Sequence, residues 1–157
     1  MNKTKFIGTW KLVSWETQST QGEIIYPFGK NPIGYLTYTA DGYMSANIMK
    51  SDRLNINIAL QELMQARQVF LKPWLLLTSG KYIQAVFRYF QASTNYISYG
   101  GRYEIVGEKV IHHVDISLIP DWTGTNLERN FKFVDGKLVL STPPIGGSPQ
   151  YLTWERI

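Results

Sequence analysis

Apolar and polar residues alternate with period two along most of this chain, and Gly-containing turns cut the alternation into short segments. Period-two alternation marks strands with one buried face. From Phe6 to Glu16, the row Trp10, Leu12, Ser14 opposes Lys11, Val13, Trp15. A short strand over Glu23 to Tyr26 follows a turn at Gln21-Gly22, after which Pro27, Gly29, Pro32 and Gly34 punctuate the chain. Tyr35–Ala40 and Tyr43–Met49 flank Asp41-Gly42, a strong hairpin signal. Leu36 and Tyr38 share one face of the first of these strands. Either Met44, Ala46 and Ile48 or Ser45, Asn47 and Met49 point inward from the second.

The alternation resumes around Gly107-Glu108-Lys109, which supplies a turn. Beyond it, Val110, His112, Val114, Ile116 and Leu118 oppose His113, Asp115 and Ser117. Arg129, Phe131 and Phe133 then alternate with Asn130, Lys132 and Val134. Asp135-Gly136 predicts another hairpin, with Leu138–Ser141 as the return strand. Thr142–Gln150 reads as a loop, and Tyr151–Arg156 closes the sheet. Between these blocks the pattern turns helical. Ile56, Leu60, Leu63 and Met64 form one amphipathic stripe, which Pro73 ends. Trp74–Leu77 is a compact apolar run, and Ser79 can cap a second helix with Ile83, Val86, Phe87 and Phe90 on one face. The two helices are expected either to cover an open barrel end or to pack outside the sheet.

About eight to ten antiparallel strands suit a closed up-and-down barrel. The segments FIGTWKLVSWE, YPFGKNPIGYLTYTADGYMS, GRYEI, VIHHVDISLIPDWTGT, LVLSTPP and LTWERI resemble the bacterial and fungal lipocalin-like domain family. The resemblance covers nearly the whole chain apart from about residues 52–95. It implies a mainly β fold, one lipocalin-like domain over residues 1–157, into which the helical pattern of the unmatched stretch places a two-helix insertion at about 54–92. It also implies that Trp10, from the Gly-x-Trp of the first strand, plugs the closed end against Arg156. Trp122 falls in the family's loop motif, where rim packing and ligand contact are both open. Function does not follow from such a fold, because one barrel hosts unrelated activities.

Composition narrows the chemistry. At 157 residues, 44% hydrophobic and 18% charged, the chain has an ordinary globular composition, with a high aromatic content of 14% that suits a ring-filled barrel. It has no cysteine, which excludes disulfides, thiol nucleophiles and thiolate metal sites. No apolar run predicts a signal peptide or a membrane span, so a cytoplasmic location is expected. The net charge of +4 is spread without basic runs, which argues against nucleic acid and fits a mildly basic surface or a basic mouth for an acidic small molecule. The two histidines point to opposite faces and no ligand-spaced cluster accompanies them, so no metal is expected. No phosphate loop or nucleophile elbow occurs, and no cofactor is expected.

Turning the apolar rows inward places Tyr99, Tyr103, Ile105, His112, Val114, Ile116, Arg129, Phe131, Phe133, Leu138, Leu140 and Trp154 in the lumen. A buried cation needs a partner, and Glu104 and Asp115 fall on the opposite row, so an acidic ligand is one candidate for Arg129. His112, Tyr103 and Arg129 are the candidate catalytic residues. Tyr38, Asn47, Tyr99, Trp122, Phe131, Phe133 and Trp154 are the candidate ligand contacts. The resulting expectation is a barrel enclosing a small lipophilic or aromatic molecule. One version catalyses cofactor-free cyclisation or isomerisation of a natural product by holding a reactive conformer. A second is a carrier without turnover, and a third is a filled barrel used for protein association. Homo-oligomerisation stays open.

Overall fold

The computed structural model describes residues 3–57, 59, 61–62, 80–144 and 147–157. The chain divides into two compact units, Met1–Ser51 with Tyr96–Ile157 and Asp52–Asn95. The first unit carries nine strands: β1 Gly8–Gln18, β2 Ile24–Ile25, β3 Ile33–Tyr38, β4 Tyr43–Met49, β5 Tyr96–Val106, β6 Lys109–Ser117, β7 Asn126–Val134, β8 Lys137–Ser141 and β9 Gln150–Arg156. From β3 to β9 each strand pairs with the next in sequence. β1 pairs with both β3 and β9, which closes an eight-stranded antiparallel barrel. β2 extends this by pairing with the end of β1.

The turns follow local chemistry. Asp135 and Gly136 both take positive φ, 50° and 77°, as the two-residue loop between β7 and β8 requires to match the twist of its strands. Gly42 and Gly107 do the same for the β3–β4 and β5–β6 hairpins. Inside, alternate residues build one core: Phe6, Trp10, Leu12, Leu36, Tyr38, Met44, Ala46, Ile48, Tyr103, Val110, Val114, Leu138, Leu140 and Trp154 are all buried. The row left open in β4 resolves to Met44, Ala46 and Ile48 inward.

Two bulges correct the simple alternation. In β6 the register shifts opposite Gly100 and Gly101, so that Gly101 pairs with Val114 but Gly100 pairs with Ile116. Asp115 is the extra residue, and Ile116, expected in the lumen, is 71% exposed. In β1 the shift lies between Leu12 and Ser14, with Val13 the extra residue. It carries Trp15, expected to face away from Trp10, onto the inner side.

One barrel end is plugged. Phe6 packs edge-on against Tyr38, Phe131 and Phe133, with ring centroids 5.4, 4.7 and 5.3 Å away. Its carbonyl accepts from Trp10 Nε1 at 2.8 Å. The Arg156 guanidinium lies 4.3 Å from the Trp10 ring, as the resemblance implies, and donates to the Ile7 and Lys5 carbonyls.

In the second unit one complete helix lies among the described residues, α1 Gly80–Thr94. Arg53 and Arg88 join residues 53–55 to it, through Arg53 Nη2 to the Ala92 carbonyl at 3.2 Å and Arg88 Nη1 to the Asn55 carbonyl at 3.4 Å. Of its expected apolar stripe, Phe87 and Phe90 are exposed. Of the other expected helix, Ile56 lies in no helix and Gln61 and Glu62 are helical, while Leu60, Leu63 and Met64 to Pro73 lie outside the described residues, as do Trp74–Leu77 and Ser79. Among the described residues no helix is long and apolar enough to cross a membrane.

Candidate functional site

His112, on the inner row of β6, is fully buried. Its Nε2 lies 2.7 Å from the Tyr38 hydroxyl on β3, and its Nδ1 lies 3.1 Å from the Tyr99 hydroxyl on β5. A neutral imidazole has one N–H donor and one lone-pair acceptor, so two hydroxyls satisfy it completely. Burial, then the positive charge of Arg129, and finally that of His113 lower its pKa to about 3. Burial likewise raises both phenols. Tyr38 is pushed well above its usual range, while at Tyr99 the Arg129 guanidinium opposes the rise through its charge and a hydrogen bond. The network is therefore uncharged at neutral pH, with Arg129 the one cation bearing on all three members.

Beside this network lies a cavity of about 80 Å³. Its walls are mostly apolar: Leu36, Ala46 and Ile48 come from β3 and β4, Ile97 and Tyr99 from β5, Leu140 from β8, Leu152 and Trp154 from β9. Trp122 contributes from the 3-10 turn Pro120–Trp122 and meets Tyr99 edge-on with centroids 5.7 Å apart. Trp15 lines it too, its Nε1 donating to Gln150 Oε1 at 2.9 Å and its ring tilted against Phe28 with centroids 4.5 Å apart. Arg129, on the inner row of β7, is the cation of the wall; its Nη1 donates to the Glu128 carbonyl at 2.8 Å. No carboxylate pairs with it among the described residues.

The structure thus brings together four of the residues singled out from sequence, Tyr99, Trp122, Arg129 and Trp154, around one cavity. Tyr38 and His112 lie behind it, reached through Tyr99. Tyr103, Phe131 and Phe133 belong to the plugged end. The Tyr103 hydroxyl donates to the Thr39 carbonyl at 2.9 Å, and its pKa is raised by burial and by the nearby Asp41 carboxylate. Asn47 stands on the outer row of β4, where its Oδ1 accepts from Ser98 at 2.8 Å and Tyr96 at 3.1 Å. Trp15, Ile97, Gln150 and Leu152 are cavity residues that sequence reasoning missed. The β1 bulge hid Trp15. Nothing in the alternation marks the mouth end of a strand as pocket wall and not packed core.

A closed antiparallel barrel with one end plugged and a small apolar cavity inside defines the class of architecture. The chain belongs to the lipocalin-like domain family, whose model matches residues 7–157. Comparison with curated proteins gives no match. Among solved structures, a lipocalin-like protein from Bacteroides uniformis is similar at 10% identity and TM-score 0.46, covering 98% of this chain and 99% of that one. A de novo designed fluorescence-activating β-barrel reaches 10% identity and TM-score 0.42, over 98% and 95% of the two chains. The fluorescent protein UnaG reaches 13% identity and TM-score 0.40, over 98% of each chain. At these scores the three carry no inference about ligand or activity.

Proposed function

We propose that this protein binds a small lipophilic molecule inside the barrel, as a carrier without turnover. The observation that carries the reading is the cavity of about 80 Å³, walled by apolar side chains in a barrel whose other end is packed shut. An empty apolar cavity forfeits the contacts of its lining atoms, and a lipophilic occupant restores them. Tyr99, Trp122 and Trp154 supply flat aromatic wall. The volume suits a compact molecule, or the compact end of a longer one, and not a large pigment. A cytoplasmic setting, expected from the sequence, is part of the same proposal.

The catalytic version, a cofactor-free cyclase or isomerase, draws less support. A proton shuttle has to reach the substrate and titrate near working pH. His112 touches the cavity only through Tyr99, has both ring nitrogens occupied and stays neutral down to about pH 3.

Native mass spectrometry of the protein isolated from its own host, together with titration by a small neutral apolar probe such as benzene or toluene followed by ligand-observed NMR, tests the proposal. A retained small molecule or saturable one-to-one binding is the expected result. Ala46→Leu, which fills the cavity from the β4 wall, is expected to abolish that binding while leaving the circular dichroism spectrum unchanged. Absence of both retention and probe binding in the wild type overturns the proposal and favours the filled barrel that associates with proteins.

A further inference from the structure

Trp154 is 1% exposed, lines the cavity, and its Nε1 has no hydrogen-bond partner. An indole N–H is a donor only, and a buried donor left unpaired is costly. Arg129 lines the same cavity, and no carboxylate is paired with it among the described residues. A guanidinium is likewise a donor only. Gln150 adds to the imbalance: its Oε1 is taken by Trp15, so the amide nitrogen is the group with bonding capacity to spare. Thr142, the remaining polar wall residue, already donates to the Pro143 carbonyl and accepts from the Gln150 backbone N–H. The cavity therefore offers unsatisfied donors and a positive charge, with no matching unsatisfied acceptor on a wall side chain outside the Tyr99–His112 bond.

Resting on the binding reading above, we propose that the ligand is a small lipophilic carboxylate. Its head group sits between Arg129 and Trp154 Nε1, and its apolar body lies against Leu36, Ala46 and Ile48. Through β8, Arg129 stands level with Thr142 and Gln150, and Trp154 lies four residues further along β9, level with Leu138, so the two donors line the same cavity at different depths and the head group spans between them. A carboxylate is acceptor-only and matches the donor excess. A neutral alcohol brings a proton that finds no free acceptor on these side chains. Arg129 also supplies the charge that makes the interaction with an anion stronger than a neutral hydrogen bond.

The test compares two isosteric pairs at neutral pH, benzoate with benzamide and hexanoate with hexanamide, on the full chain by calorimetry and by indole N–H NMR. Each carboxylate is expected to bind about tenfold or more tightly than its neutral partner, the gain of one charge-assisted anchor. It should also shift a single indole resonance downfield, one that Trp154→Phe removes. Arg129→Gln is expected to bring the carboxylate affinity down to that of the neutral partner, erasing the preference. Arg129→Lys should retain part of the preference, which guards against a folding defect in a single variant. Neutral and anionic members binding equally well would overturn the carboxylate assignment and leave the lipophilic cavity intact. Failure of all four probes would overturn the binding reading together with it.

Discussion

At the scale of single residues, His112 is the group whose chemistry the fold changes most. Its folded pKa of about 3 lies below the unfolded value of about 6.5, so the unfolded chain binds the extra proton between these limits. Stability is then fully present above about pH 6.5 and falls as pH drops toward 3. The whole effect is at most roughly 5 kcal/mol, since a tenfold change in proton affinity is worth about 1.4 kcal/mol. Chemical denaturation of the wild type and of His112→Gln between pH 7 and 5 checks this. The difference in stability between the two is expected to shrink steadily as the pH falls, and a constant difference would contradict a neutral buried imidazole. That one histidine faces in and the other out was legible in the sequence, since adjacent strand residues point oppositely. His113 does face outward, bonded to Asn126 at 2.7 Å and Glu104 at 3.1 Å. The Tyr38 and Tyr99 partners were not legible as partners, because they come from strands 74 and 13 residues away.

At the scale of elements, the bulge between β5 and β6 determines which residues the barrel shows to solvent. A Cβ added at Gly101 would stand 2.0 Å from the His113 carbonyl oxygen and 2.8 Å from the Asp115 nitrogen, both backbone atoms of the opposing strand. Neither can rotate away as a side chain would, so Gly101→Ala forces the strands apart. We expect a loss of about 3 kcal/mol, at the upper end for overpacking. Gly107→Ala meets nothing within 4 Å and pays only for its φ of 60°, about 1 kcal/mol. Equilibrium urea unfolding of the two variants orders them, and a Gly101 variant as stable as the Gly107 one would contradict the bulge. The β1 bulge at Val13 acts similarly on the site, because it turns Trp15 into the cavity wall.

At the scale of the barrel, closure rests on β1 meeting β9 and on the plug beneath. Arg156 joins the two chain ends, bonded to the Ile7 and Lys5 carbonyls and stacked on Trp10. Gly8 is required beside it, with φ of 133° and only 2.7 Å between an added Cβ and Arg156 Nη1. Arg156→Ala is expected to cost about 1–2 kcal/mol, combining an exposed cation–π contact with two carbonyls returned to water. Arg156→Lys should recover less than half of this, since a single ammonium cannot fork to two carbonyls while stacking. Thermal unfolding of the three proteins provides the ranking.

The sequence by itself determined the strands, their hairpins and the barrel class, because alternation and turn chemistry are local properties. Asp41-Gly42, Gly107 and Asp135-Gly136 each set a turn with their own backbone preferences. It also determined that Arg129 would sit among apolar residues, since Phe131 and Phe133 share its row. Only the tertiary structure decided where that row opens into a cavity and where it is packed solid. Phe6, outside every strand, fills one end and leaves Phe131 and Phe133 no room for a ligand. Bulges at Val13 and Asp115 moved Trp15 in and Ile116 out, and a bulge depends on the partner strand across it. Trp154 could be read as inward from its alternation, but its unpaired indole depends on which acceptors the other strands fail to bring near it.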